Sequence, residues 1–226
     1  MMDQNIRVAG VAALFIAVAF AVHLLNAYYF EPQMGFRSVA DYMSADRLRV
    51  GLRAESWTWS GYGHFVTGIA LIVMAAVVRE WFVVRRPVAA TLTALVGALA
   101  GIAFLLIGVM DLQGRDIALA YDRANPGNTT AIVLAAAYPR QIASLAGLIL
   151  LGWFIVQFTW CAREFDKLPR LFGFFSYVAG VASFWVFRST GAYAIAYLLI
   201  PLWALGVGII LYSRSRTLAE FEPQYV

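Results

Sequence analysis

Residues 57–79 read WTWSGYGHFVTGIALIVMAAVVR, and no Asp, Glu, Lys or Arg interrupts them before Arg79. About 20 apolar residues are enough for a helix to cross the hydrocarbon core of a bilayer, so this stretch reads as a membrane span. Comparable runs lie at about 8–30, 88–110, 138–161, 171–188 and 192–213. Together they predict an all-α, polytopic bundle of six transmembrane helices forming a single domain over 1–226. The two long connections fall at about 31–56 and 111–137.

Composition agrees. Of the 226 residues, 62% are hydrophobic and 13% are charged, against about 25% charged in soluble domains. The mean hydropathy is +0.73. The formal net charge is +4 with a pI near 9.4, but the basic residues lie in short loops beside spans, where they orient the chain and meet anionic headgroups. No basic patch with interleaved aromatics points to nucleic acid. The one cysteine, Cys161, rules out an intrachain disulfide and a cysteine-rich metal site. MMDQNIR ahead of an apolar run has the form of a signal-peptide start, yet the run at 8–29 is long enough to span and reads as a retained first helix.

Trp57, Trp59, Tyr62, Trp153 and Trp160 fall near span ends, as an interfacial aromatic belt would. The connections EWFVVRRP (80–87) and AREFDKLPR (162–170) and the tail from Arg214 are short and basic. By the positive-inside rule they are cytoplasmic, which predicts both termini inside, N-in and C-in, in a bacterial inner membrane. The first long loop also carries Arg37, Arg47, Arg49 and Arg53, interleaved with Asp41, Asp46 and Glu55. Within it, SVADYMSADRLRVGL has the pattern of a short amphipathic surface helix. Asn125-Pro126-Gly127-Asn128 is a turn signal. VAGVA occurs at 8–12 and 178–182, which suits either a weak internal repeat or the small-residue bias of membrane helices.

Small residues at helical spacing mark the faces that pack on neighbours: Gly97, Gly101 and Gly108 in the third span, Ser60, Gly61, Thr67 and Gly68 in the second, Ser144 and Gly147 in the fourth, Gly173, Ser176, Gly180 and Ser183 in the fifth. Pro201 in the sixth leaves the carbonyl of Tyr197 without its helical partner.

The only two histidines are His23 and His64. His23 lies seven residues before Phe30 and His64 seven residues after Trp57. At ~1.5 Å per residue both sit about 10 Å below the outer boundary, on consecutive spans that are expected to be neighbours. Asn26, three residues past His23, is placed to fix an imidazole tautomer. Glu55, Asp111, Arg140, Gln141 and Arg188 gather at the same end, and Asp111 with Arg140 suits an ion pair between the third and fourth spans. Four readings fit this cluster. It is a hydrogen-bonded structural cluster; or a bis-histidine haem b site; or a transition-metal site of His23, His64 and Asp111 or Glu55; or a pocket for a lipid-like or quinone-like ligand contacted by His23, His64, Asn26 and Arg140.

The middle and inner depths are nearly free of ionisable groups, which argues against an ion pump. Gln157 is the main polar residue there. The sole lysine, Lys167, lies in a loop, which excludes a Schiff base within the bundle. No G-x-S-x-G, H-E-x-x-H or phosphate-cradling glycine loop occurs.

The segment LPRLFGFFSYVAGVASFWVF (168–187), with RVAGVAALFIAVAF at the first span, resembles an uncharacterised bacterial family of six-span membrane proteins, a domain of unknown function. The resemblance implies six helices with both termini inside and brings no assigned catalytic residues. The leading expectation is a small membrane subunit or ligand-binding protein with an outer-leaflet polar pocket around His23 and His64, lodged in the bilayer and associated with other membrane subunits or further copies of itself. Two alternatives stand beside it: a membrane enzyme using Glu55 or Asp111 as acid and base on a lipid-soluble substrate, and a small transporter.

Overall fold

The computed structural model describes residues 2–164, 168–186 and 190–219. Arg188 and Lys167 lie outside the described residues. Among those described there is no strand. Helix α1 (Met2–Leu25) passes through a π-helical turn (Asn26–Phe30) into the single turn α2 (Glu31–Gln33). A 3-10 turn (Val39–Met43) and α3 (Ala45–Gly51) follow. Helix α4 (Glu55–Phe82) leads to α5 (Pro87–Val109), which runs through a second π-helical turn (Met110–Gly114) into α6 (Arg115–Ala124). The chain ends in α7 (Thr129–Glu164), α8 (Arg170–Phe184) and α9 (Thr190–Ala219).

Five stretches are long and apolar enough to cross a membrane: Gln4–Gln33, Glu55–Phe82, Pro87–Ala124, Thr130–Arg163 and Ala194–Ser213. Helix α8 has the apolar composition but only 15 residues, or about 22 Å at 1.5 Å per residue. The long helices close a ring. Helix α1 packs on α4, α4 on α5, α5 on α7, α7 on α8, α8 on α9, and α9 returns to α1. Lipid tails are as apolar as leucine, so close van der Waals packing holds such a ring together. The tightest crossing is between α4 and α5, where a Cβ on Gly68 would lie 2.6 Å from the carbonyl oxygen of Gly101. Gly10 with Gly208 and Gly152 with Gly180 bring α1 to α9 and α7 to α8 in the same way. The glycines of the two VAGVA copies thus serve crossings in the first and fifth helices of the ring, positions that a repeat of three helices would not superpose.

One half of the ring is filled by aromatic side chains. Trp203, Phe154 and Phe158 are fully buried and pack edge to face, and Phe82 joins Phe158. Gln157 meets Thr93 here (3.2 Å), an interhelical hydrogen bond between α7 and α5.

The other half is closed by a cap. The segments expected as loops at 31–56 and 111–137 are largely helical, and only 125–128 turns freely between α6 and α7, with Gly127 at φ 93°. Phe36, Leu48, Leu52 and Trp57 pack against Leu119 and Ile132 in a second apolar cluster. The amphipathic segment at 38–52 is broken at Ser44 into the 3-10 turn and α3, because Ser44 is extended (φ −87°, ψ 118°). Arg49 reaches across with two 2.8 Å bonds to Asp122, tying α3 to α6. The cap forms because α6 presents a charged face to solvent and Ala118 and Leu119 inward.

Candidate functional site

The site lies under the cap, where the ring is not filled by aromatics. His23 and His64 meet: their rings stack at 3.8 Å between centroids with 22° between planes. Small residues allow this approach. A Cβ on Gly63 would lie 2.9 Å from Cε1 of His23, so only glycine lets α4 come this close to the imidazole. Phe20 packs edge-on against His23 at 5.5 Å and Phe104 stacks on His64 at 6.1 Å, forming a floor beneath the pair.

Two hydrogen-bonded chains run into this pair. In the first, His64 Nδ1 lies 2.9 Å from Asp111 Oδ2, and Arg140 Nε donates to Asp111 Oδ1 at 2.5 Å. Opposite the guanidinium the Asp111 carboxylate is an acceptor, so His64 carries its proton on Nδ1 and keeps its lone pair on Nε2. The Arg140 guanidinium also lies over the Trp57 ring, 5.5 Å from its centroid. In the second chain, Glu31 Oε1 accepts from Asn26 Nδ2 at 2.9 Å, and Oε2 accepts from the Tyr42 hydroxyl. Glu31 is buried and, among the described residues, has no salt-bridge partner.

The π-helical turns build both chains. Glu31 follows Asn26 by five residues, and its N–H bonds the Asn26 carbonyl. In an α-helix residues five apart diverge by more than a third of a turn; the wider π turn returns them to one face. Pro32 supplies the local reason, because it lacks an N–H and its ring crowds the carbonyl four residues back. Asp111 sits in the second π turn, where the Arg115 N–H bonds the Met110 carbonyl. A Cβ on Gly61 would lie 2.9 Å from the Asp111 Cβ, so α4 leaves room for this side chain too.

Beside these chains is a cavity of about 620 Å³, within the ~300–1,000 Å³ usual for small-molecule sites. His23, Asn26, Glu31, Ser60, His64, Arg140 and Gln141 line it, with Phe36, Tyr42, Trp57 and Tyr197 among its walls. Tyr28, Arg37, Ser38 and Met43 are exposed members of the lining and mark its mouth at the rim of the cap. Three buried polar atoms of residues lining this cavity have no partner among the described residues, His23 Nε2, Asn26 Oδ1 and Trp57 Nε1. Their residues are only 3%, 4% and 5% exposed. His23 Nδ1 is engaged at 3.0 Å by the Ser60 hydroxyl.

Of the expected site residues, the structure joins His23, His64, Asn26, Arg140 and Gln141 around one space, with Asp111 behind them, bonded to His64 and Arg140. Glu55 does not join them. It is exposed in the first turn of α4, some 13 Å along the helix from His64 at 1.5 Å per residue. Glu31, read from the sequence as the edge of a loop, is the buried carboxylate instead, and Pro32 was the signal that could have found it. Tyr42 and Ser60 also belong to the site.

The geometry fits neither metal reading. Two imidazoles ligating one haem iron must stand on opposite faces of the macrocycle; these rings lie face to face at stacking distance, with no room for a porphyrin between them. Asp111 is occupied by Arg140 and His64, and among the described residues no three His, Cys, Asp or Glu side chains are grouped to hold a metal ion. What the arrangement offers is a roomy, largely apolar space with hydrogen-bonding groups at one end. No family model, curated protein or solved structure matches this chain, so the functional reading rests on this geometry.

Proposed function

We propose that this protein binds a small, lipid-soluble amphipathic ligand in the cavity under its cap, with the ligand's polar head among His23, Asn26, His64 and Arg140 and its apolar body along the aromatic walls. The observation that carries this reading is the set of buried, unpartnered atoms on His23, Asn26 and Trp57 at the edge of a 620 Å³ cavity. Buried polar atoms are almost always satisfied, and leaving one orphaned costs about 1–3 kcal/mol. A ligand that completes them recovers that cost.

In this reading the chain is a multi-pass protein of a bacterial inner membrane, with six crossing helices and both termini in the cytoplasm. Helix α8 crosses as a short span where the bilayer thins locally. Arg79, Arg85, Arg86, Arg163 and Arg170 lie toward the end away from the cap and support its cytoplasmic placement. The cap then faces outward, and the cavity mouth opens near the lipid headgroups. The resemblance at 168–187 to the six-span family is in keeping with this arrangement, as is a place in a larger membrane complex.

A second reading has one specific observation behind it. Asp111 orients His64 with its lone pair on Nε2, the form a general base takes. A membrane enzyme would then use His64 on a ligand held in the same cavity, with Glu55 playing no part.

Native mass spectrometry of the protein purified in mild detergent tests the main proposal. The wild type should carry a small molecule that organic extraction releases and identifies. Ala137→Trp, which fills the cavity from α7, should lose it. A wild type that is empty and gains no thermal stability from any member of a lipophilic compound set refutes the proposal.

A further inference from the structure

Two of the three orphaned atoms, His23 Nε2 and Asn26 Oδ1, restrict the ligand's head further than its location does; the third, Trp57 Nε1, is a donor that any ligand oxygen serves equally. The inference rests on the ligand-binding reading above. Asn26 amides flip easily in principle, since nitrogen and oxygen have the same shape. Here the neighbour decides the orientation. Nδ2 faces Glu31 Oε1 at 2.9 Å, and a carboxylate only accepts. The second Glu31 oxygen is already taken by the Tyr42 hydroxyl. Asn26 Oδ1 is therefore turned away from Glu31 as an acceptor with nothing to accept from.

His23 Nε2 is different, because Ser60 can either donate to Nδ1 or accept from it. Nε2 is a donor in the first case and an acceptor in the second. The two atoms stand three residues apart on one helix face and line the same cavity. A carbonyl head could serve only a donating Nε2 and would leave Oδ1 orphaned. An ether would do the same. A hydroxyl donates to Oδ1 and also accepts from Nε2–H, and a head with two hydroxyls serves both atoms in either tautomer.

The walls restrict the body that carries this hydroxyl. Phe36 lies 4.8 Å from Tyr42 and 5.3 Å from Trp57 between ring centroids. With Tyr197 they line the cavity with aromatic rings, which favour a planar ring over a flexible aliphatic head. We infer that the occupant is an aromatic alcohol with an apolar tail, a phenol or quinol, recognised through the donation of its O–H to Asn26 Oδ1.

The test is equilibrium binding to the full chain in lipid nanodiscs with four probes: decylhydroquinone, its dimethyl ether, decylbenzoquinone and an aliphatic alcohol of equal tail length. Decylhydroquinone should bind about tenfold or more tightly than the ether or the quinone, the factor set by leaving one buried acceptor unmade. It should also exceed the aliphatic alcohol. In Asn26→Leu, its affinity should fall to that of the ether, while continued ether binding shows that the cavity is intact. Equal affinity of hydroquinone and ether in the wild type overturns the donor assignment even if that variant fails to fold, and leaves the ligand-binding reading standing. That result is also what a merely water-filled site would give. An aliphatic alcohol that matches the hydroquinone overturns the aromatic assignment. Failure of all four probes overturns this inference, while a molecule carried from the cell and lost in Ala137→Trp would still uphold the broader proposal.

Discussion

Replacing Arg140 by leucine strands the Asp111 carboxylate. That side chain is 3% exposed and Arg140 is 22% exposed, and the two meet at 2.5 Å. The exposures make the pair asymmetric. Removing Arg140 leaves a buried negative charge whose one remaining partner is His64 Nδ1. Breaking a buried ion pair costs ~3–5 kcal/mol, and the His64 bond places Arg140→Leu at the low end, about 3 kcal/mol. Removing the charge from the other side is milder. Asp111→Asn keeps an acceptor for His64, and the guanidinium can turn toward water, so the loss should be close to one net hydrogen bond, about 1 kcal/mol. The two single variants should differ by about 2 kcal/mol, roughly thirtyfold in the unfolding equilibrium. The double variant carries the sharper consequence. In the Arg140→Leu background, Asp111→Asn removes the stranded charge and should recover most of the loss, so the same substitution changes sign with its background. Detergent-driven unfolding in mixed micelles, followed by circular dichroism, measures all four corners of this cycle. If Asp111→Asn destabilises the Arg140→Leu protein as much as the wild type, the two charges are energetically independent and the assignment of Asp111 as a buried carboxylate held by Arg140 is wrong.

Two further outcomes check the fold around the site. Gly68→Ala should cost about 1–3 kcal/mol in the same unfolding assay, because its methyl would meet the Gly101 backbone at 2.6 Å and α4 and α5 would have to part. Gly114→Ala should instead be neutral or stabilising, since Gly114 has a helical φ of −61° and the nearest atom to a new Cβ is 3.7 Å away; a matching loss at both positions would refute the close-crossing argument. In the cap, the Asp41 carboxyl is held below its ordinary 3.8, first by the Arg37 backbone N–H and then by the Ser38 hydroxyl, with the Ser38 N–H and Arg47 adding to them. A depressed folded value means a contribution that is present above the unfolded value and lost as pH falls through the folded one. The protection of amides over 37–44 against hydrogen exchange, taken relative to the intrinsic rate at each pH, should therefore fall on acidification below about 3.8 in the wild type, and Asp41→Asn should be weakly protected already at neutral pH with no acid step; an acid step of equal size in Asp41→Asn would remove Asp41 as its cause.

Much of this protein was legible in its sequence. Five of the six apolar runs became helices long and apolar enough to cross a membrane, where a backbone without water is satisfied only by its own hydrogen bonds. The small residues of 57–79 and 88–110 marked the faces that cross at Gly68 and Gly101, because close backbone approach requires a missing side chain whatever the partner. The depth of His23 and His64 followed from helix rise alone. Depth, however, is only one coordinate. Whether two side chains at one depth meet depends on helix rotation, and rotation depends on packing with every other helix in the ring. The stacking of the two rings and the reach of Arg140 to Asp111 were decided there, whereas the distance of Glu55 from His64 along α4 follows from helix rise. The cap was decided by packing too: 111–137 read as a connection between two apolar runs, and its apolar residues become helix-stabilising only once Leu119 and Ile132 have Leu48 and Trp57 to cover. The π turns that turn Asn26 toward Glu31 and carry Asp111 have no compositional signature beyond Pro32, since a π turn costs the backbone free energy that only tertiary contacts return. Sequence alone therefore determined that this chain forms helices long and apolar enough to cross a membrane and at which end of them its polar groups gather. The tertiary structure decided which of them face one cavity, because that choice is made by the azimuth of each helix and not by the order of its residues.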